Sequence, residues 1–347
     1  MLTALRIAVV VFFGTIFLAA QSATAAQSPT GAKPQSAAAQ YAAATRLAQQ
    51  GKYDEAIATL QSQSAITPKP AGLAHTMGVI YYSKGDFLQA ADYLRQAVAE
   101  DANDKEAVQL LGLSYYRAGR PSDAIPYLQK VQEWYPHANV DASYVLGMSY
   151  IQAKDYPNAC KSFARMFDVP PDSAASYLLT ARMLFRMEFT PVAEEYAQKA
   201  VATDPKLPLA HQLLGEVQMF QSKIPDAVKS FEAEMAINPA NPSTYYKLAD
   251  AYSRIQKYDE AERLLQRSIW LDASSTGPYV LLGKVLQKKG EPNLALGYLQ
   301  HAATMDPNNP MTHQLLGQAY RDVGKTADAE RELKIAEQLR NKMTDFQ

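Results

Sequence analysis

Few residues in this chain have the type and spacing that chemistry requires. Cys160 is the only cysteine among 347 residues, so neither an intramolecular disulfide nor a thiolate metal site can form. It adjoins Ala159 on a helix stripe, where a thiol reads as an inert packing group rather than a reactive one. The histidines, His75, His137, His211, His301 and His313, are scattered. None shows the H-x3-H gap that sets two metal ligands on one helix face. No G-x-S-x-G, phosphate-binding loop or G-x-G-x-x-G occurs. The sequence predicts no catalytic residues, no cofactor and no metal. Another chemistry recurs instead: aromatic and cationic side chains at helical spacing. Rings can seat apolar anchors, and guanidinium or ammonium groups can clamp carboxylates.

The element that must position those side chains is plainest in residues 71–104. Ala74, Met77, Gly78 and Tyr81 fall at i, i+3, i+4 and i+7, one face of a helix. Ala90, Leu94 and Ala97 form a second stripe after a turn at Gly85-Asp86. Gly78 and Ala90 are small where the two helices are expected to cross. Such a hairpin leaves one flank apolar and needs a neighbour. Moving forward about 34 residues, Gly78 becomes Gly112, Tyr81 becomes Tyr115, Gly85 becomes Gly119, Ala90 becomes Ala124 and Leu94 becomes Leu128. The small residue of the second helix recurs as Ala56, Ala90, Ala124, Ala159, Ala193, Ala227, Ala261, Ala295 and Ala329. A closing proline recurs as Pro68, Pro136, Pro171, Pro205, Pro239 and Pro307.

This pattern, W/Y-x2-L-G-x2-Y, then Gly, A-x3-F/L, Ala and Pro, resembles the tetratricopeptide repeat. The resemblance implies an all-α chain, a right-handed α-solenoid of about nine helix-turn-helix repeats. They start near residues 37, 71, 105, 140, 174, 208, 242, 276 and 310. The repeat starting at 174 departs most. Thr180-Ala181 replaces Leu-Gly, Glu188 stands at the turn glycine, and Pro170-Pro171 precedes it. Ordinary drift explains this, or a local change of curvature does.

In tetratricopeptide proteins the first helices line a concave groove. At 3.6 residues per turn, repeat positions 2, 6, 9 and 13, flanked by 5 and 12, lie opposite the packing stripe. By resemblance, then, the partner-binding groove is Tyr41, Val79, Tyr82, Leu113, Tyr116, Arg117, Tyr144, Met148 and Ile151 at its N-terminal end. At the other end are Arg182, Phe185, Arg186, Glu216, Asp250, Arg254, Lys284, Lys288 and Arg321. The first set is apolar and aromatic, the second mixed-charge with a cationic bias. Alternatively, Val79, Leu113 and Met148 pack between repeats and the charges form a solvated face. The Lys and Asn clamp of chaperone-binding members has no counterpart. The corresponding positions hold His75 and Val79, Gln109 and Leu113, or Tyr246 and Asp250.

Composition agrees with a protein or peptide partner. With 34 Lys and Arg against 35 Asp and Glu, no global charge attracts nucleic acid. Residues 1–26 read as a cleaved signal peptide: Arg6, an apolar run over residues 7–20, then Ala23-Thr24-Ala25. The alternative is a retained membrane anchor, the only membrane contact expected. Residues 27–36 read as a disordered linker, and residues 37–347 as the solenoid. Export to the periplasm or beyond follows from that segment. The functional expectation is a non-catalytic scaffold binding a peptide or protein segment in the groove. The alternative is a structural part of an envelope assembly for pili, secretion or polysaccharide export. Oligomeric state is left open.

Overall fold

The structure, a computed structural model, describes residues 37–64, 70–135 and 140–345. The expected signal peptide and linker lie outside the described residues, as do His137, Pro68 and Pro136. Within them every regular element is a helix, eighteen in all. The first hairpins are α1 (Ala37–Gln49) with α2 (Tyr53–Ser64), and α3 (Leu73–Lys84) with α4 (Phe87–Glu100). Next come α5 (Lys105–Arg117) with α6 (Pro121–Trp134), and α7 (Val140–Gln152) with α8 (Tyr156–Met166). The middle holds α9 (Ala174–Arg186) with α10 (Thr190–Thr203), and α11 (Ala210–Phe220) with α12 (Ile224–Ile237). Then follow α13 (Pro242–Arg254) with α14 (Tyr258–Leu271), and α15 (Thr276–Lys289) with α16 (Pro292–Met305). The last pair is α17 (Pro310–Asp322) with α18 (Thr326–Asp345).

Local chemistry explains where these helices start. The carboxylates of Asp86, Asp104 and Asp155 accept hydrogen bonds from the backbone N–H of Gln89, Ala107 and Asn158. Each satisfies a donor that the helix itself cannot. Proline stands in the first turn of α6, α8, α10, α12 and α16, where its missing N–H is no loss.

The turn inside each hairpin demands one backbone conformation whatever residue occupies it. Gly51, Gly85, Gly119, Gly290 and Gly324 have positive φ there, and so do Lys154, Glu188, Ser222 and Gln256, with φ of 61°, 65°, 60° and 63°. Glu188 therefore does not mark a different turn. It holds the same left-handed geometry without the residue that adopts it freely.

The hairpins close around a glycine, which faces a large side chain of the second helix. A Cβ on Gly78 would lie 2.6 Å from Leu94 Cγ, one on Gly147 2.5 Å from a Phe163 ring carbon, and one on Gly215 2.6 Å from a Phe231 ring carbon. The small residue of the first helix makes room for a large side chain of the second, and at Gly317 also for the backbone of Ala329. Both ring and leucine are fully buried, so no rotamer escape is open.

Each second helix packs on the first helices on either side of it, and most first helices also pack on the next first helix. That closer spacing puts first helices on the inner side of the solenoid. The first-helix contact weakens between α7 and α9, after the shortened α8 and the left-handed Asp168. The apolar core still runs through this junction, from Phe163 to Leu184 and Ala193. Cys160 belongs to it, buried, its thiol 3.5 Å from the Pro171 carbonyl oxygen.

Candidate partner-binding groove

The inner face divides into two stretches with different geometry. Along α3, α5 and α7 the expected groove residues Tyr82, Leu113, Tyr116, Tyr144 and Met148 are half-buried and packed against the core. Tyr82 stands edge-on to Phe87, ring centroids 5.6 Å apart, and Arg117 lies over the same Phe87 ring at 5.8 Å. Tyr144 leans on Phe163 at 6.4 Å. Tyr41 packs on the first hairpin's core with its hydroxyl buried and unpartnered. Val79 is half-buried, and Ile151 is fully buried. Ile151 is thus a core residue, not a groove residue: the i and i+1 positions beside Tyr150 both turn inward here. Much of the aromatic end is packing within hairpins, with Arg117 reaching across to the hairpin before it.

Along α9, α11 and α13 the face opens. A cavity of about 450 Å³ is lined by Phe185 from α9, by Glu216, Met219 and Phe220 from α11, and by Tyr246, Lys247, Asp250 and Arg254 from α13. Phe231 supplies its floor. Phe185 and Phe220 meet at right angles, centroids 5.7 Å apart, an arrangement favoured by the ring quadrupoles. Phe220 is nevertheless 65% exposed, so a large apolar surface faces solvent at the cavity mouth.

The rim is charged and internally paired. Lys247 Nζ lies 3.2 Å from Glu216 Oε1, which also accepts from Gln212 Nε2 at 2.9 Å. Arg254 pairs with Asp250 at 3.0 Å, one helical turn along α13. Burial pushes the Tyr246 phenol above its ordinary value, and the Asp250 charge adds to this. Tyr246 therefore remains a neutral donor throughout the working range.

The structure brings Phe185, Asp250 and Arg254 together in this cavity. Arg182 and Arg186 flank it on α9, and Lys284 and Lys288 flank it on α15, all four exposed. Met219, Phe220, Tyr246 and Lys247 complete it without having been singled out from the sequence. Met219 and Phe220 occupy the same repeat positions as Phe185 and Arg186, which is the signal that could have found them. Tyr246 and Lys247 stand two turns earlier, at repeat positions 5 and 6 of the same expected face, and their register against α11 is a tertiary matter.

Other polar groups serve the stack itself. The fully buried Glu234 carboxylate accepts from the backbone N–H of Leu209 at 2.8 Å and of Gln212 at 3.3 Å, capping α11. His211, Tyr245 and His313 reach the carbonyls of Pro205, Pro239 and Pro307, each tying a helix to the proline turn before it. His75 lies between two carboxylates, Nδ1 2.5 Å from Asp104 and Nε2 3.4 Å from Glu106. Its bond to Glu106 and then that to Asp104 outweigh partial burial and push its pKa up to about 9. Among the described residues no cluster of His, Cys, Asp and Glu is placed to hold a metal ion.

Comparison with known proteins bears on the repeats. Family models described as tetratricopeptide repeat match residues 75–139, 244–278 and 277–309. The chain is 21% identical over 340 residues to a TPR repeat-containing protein of Methanocaldococcus jannaschii, covering 80% of this chain and 59% of that one. It is 22% identical over 280 residues to the BBSome complex member BBS4 of Bos taurus, covering 80% and 53%. The chain thus spans between half and two thirds of the length of these two relatives. Among solved structures, the crystal structure of MamA aligns with 23% identity and a TM-score of 0.45, over 48% of this chain and 96% of that one.

Proposed function

Because the chain carries tetratricopeptide repeats stacked into a solenoid, we propose that it is a non-catalytic scaffold that binds a segment of a partner protein along its first helices. The carrying observation is the open cavity between α9, α11 and α13, with an exposed aromatic ring at its mouth. A cavity of this size seats one or two bulky side chains, and a continuous helix face beside it accommodates the backbone of an extended segment. A relative named as a complex member supports the same reading.

The test is crosslinking in cells, with a photoreactive residue at Phe220 and a second variant carrying Phe185→Ala and Tyr246→Ala. Discrete protein adducts that vanish in the double variant, at unchanged helicity, support the groove. Adducts indifferent to those substitutions place binding elsewhere. The same reading locates the protein outside the cytoplasm, on the strength of the apolar run over residues 7–20 and Ala23-Thr24-Ala25. Cell fractionation with N-terminal sequencing of the mature chain checks that.

A further inference from the structure

We propose that the segment held by this groove is acidic at both ends and apolar in the middle, about eight or nine residues long. The inference rests on the groove reading above and concerns the chemistry of its occupant.

The first helices α9, α11, α13 and α15 form one uninterrupted inner face, each packed on the next. At equivalent positions, one turn apart, they carry Arg182 and Arg186, Glu216 and Phe220, Asp250 and Arg254, Lys284 and Lys288. The two carboxylates of this set lie on the central helices and are already paired, Glu216 with Lys247 and Asp250 with Arg254. The outer helices have no acidic residue at all. Among the described residues Arg182, Arg186, Lys284 and Lys288 are exposed and have no anionic partner.

Like charges one turn apart on a helix are mildly destabilising, and each outer helix carries such a pair without internal compensation. The charge order along the face is therefore cationic, neutral over an apolar cavity, and cationic again. Its complement is acidic, apolar, acidic. Neighbouring helices stand about 8–10 Å apart, so α9 to α15 spans roughly 25–30 Å, and an extended chain at about 3.3 Å per residue covers that in eight or nine residues. A nucleic acid strand fits less well. It carries a phosphate at every step, and its central phosphates would lie against Glu216 and Asp250.

The experiment is selection of a random peptide library displayed on phage against the full chain. It is followed by anisotropy titration of a labelled nonapeptide with three glutamates on each side of Leu-Phe-Leu. The expected result is enrichment of acidic peptides with a central bulky apolar residue. Their affinity should fall at least tenfold in Arg182→Glu with Arg186→Glu, and likewise in Lys284→Glu with Lys288→Glu. These sites are exposed, and equal helicity verifies that the variants fold. Enriched peptides that are neutral or basic, yet lost with Phe185→Ala and Tyr246→Ala, overturn the acidic assignment and leave the groove reading standing. Peptides indifferent to both groups of substitutions, or no enrichment at all, overturn both. Tighter binding of a thymidine oligonucleotide than of the nonapeptide, or self-association abolished by the charge reversals, assigns the cations to another occupant and overturns the proposal.

Discussion

A left-handed residue without glycine is an avoidable strain, and this chain has four of them inside hairpin turns. Lys154, Glu188, Ser222 and Gln256 sit where five other hairpins use glycine. A side chain in that region costs about 1 kcal/mol or somewhat more. Glu188→Gly and Gln256→Gly are therefore expected to stabilise the chain by about 0.5–1 kcal/mol each, read as a higher denaturation midpoint in urea. The opposite change is expected at the crossing glycines. Gly215→Ala drives a methyl group against the buried Phe231 ring and should destabilise by about 1–3 kcal/mol. An unchanged midpoint for that variant would show that the α11–α12 interface yields more than its burial suggests.

His75 gives a pH signature at the same scale. Its folded pKa, raised to about 9 by Glu106 and Asp104, exceeds the ordinary value of about 6.5. The stabilisation is thus fully present below about pH 6.5 and is lost as pH rises through about 9. Melting temperature should decline over that window in the native chain, and less steeply in His75→Gln. Parallel pH profiles for the two would remove His75 as the source.

For single elements the decisive question is how helix ends are satisfied. Among the described residues six starts use a local aspartate, serine or asparagine, and these are visible as sequence. The start of α11 is different: Leu209 is left-handed, and its cap comes from Glu234 on the following helix. Glu234→Ala leaves two backbone donors in a buried setting and should cost about 1–3 kcal/mol, measured by denaturant unfolding. Glu234→Gln, which keeps one acceptor oxygen, should lose less. This cap was not legible in the sequence, because donor and acceptor lie on different helices.

Across the whole molecule the stack is regular in its core and irregular in its inner spacing. Solenoid stability is a sum of repeat and interface contributions, so the weakened α7–α9 contact is where cooperativity should divide. Native-state hydrogen exchange is expected to give different opening free energies for α7–α8 and α9–α10, while α3 to α6 open together. Equal values on both sides would show that the shared core of Phe163, Leu184 and Ala193 couples the two halves fully. The cavity lies C-terminal to this junction, where successive first helices are again in contact, as they are N-terminal to it.

What the sequence by itself determined is the repeating hairpin. Gly78, Gly112 and Gly147, the alanine series from Ala56 to Ala329 and the closing prolines act within about 34 residues, so local geometry and spacing reveal them. Helical periodicity likewise marked a face, and it placed Phe185, Asp250 and Arg254 on it. Tertiary structure alone decided which parts of that face are open. Tyr82, Tyr116 and Phe185 share one repeat position and all pack on the core, yet Phe185 also lines an open cavity, beside the exposed Phe220. Side-chain position within a repeat is a property of one helix. A cavity depends on the register and spacing of three helices from successive repeats, set by every residue packed between them.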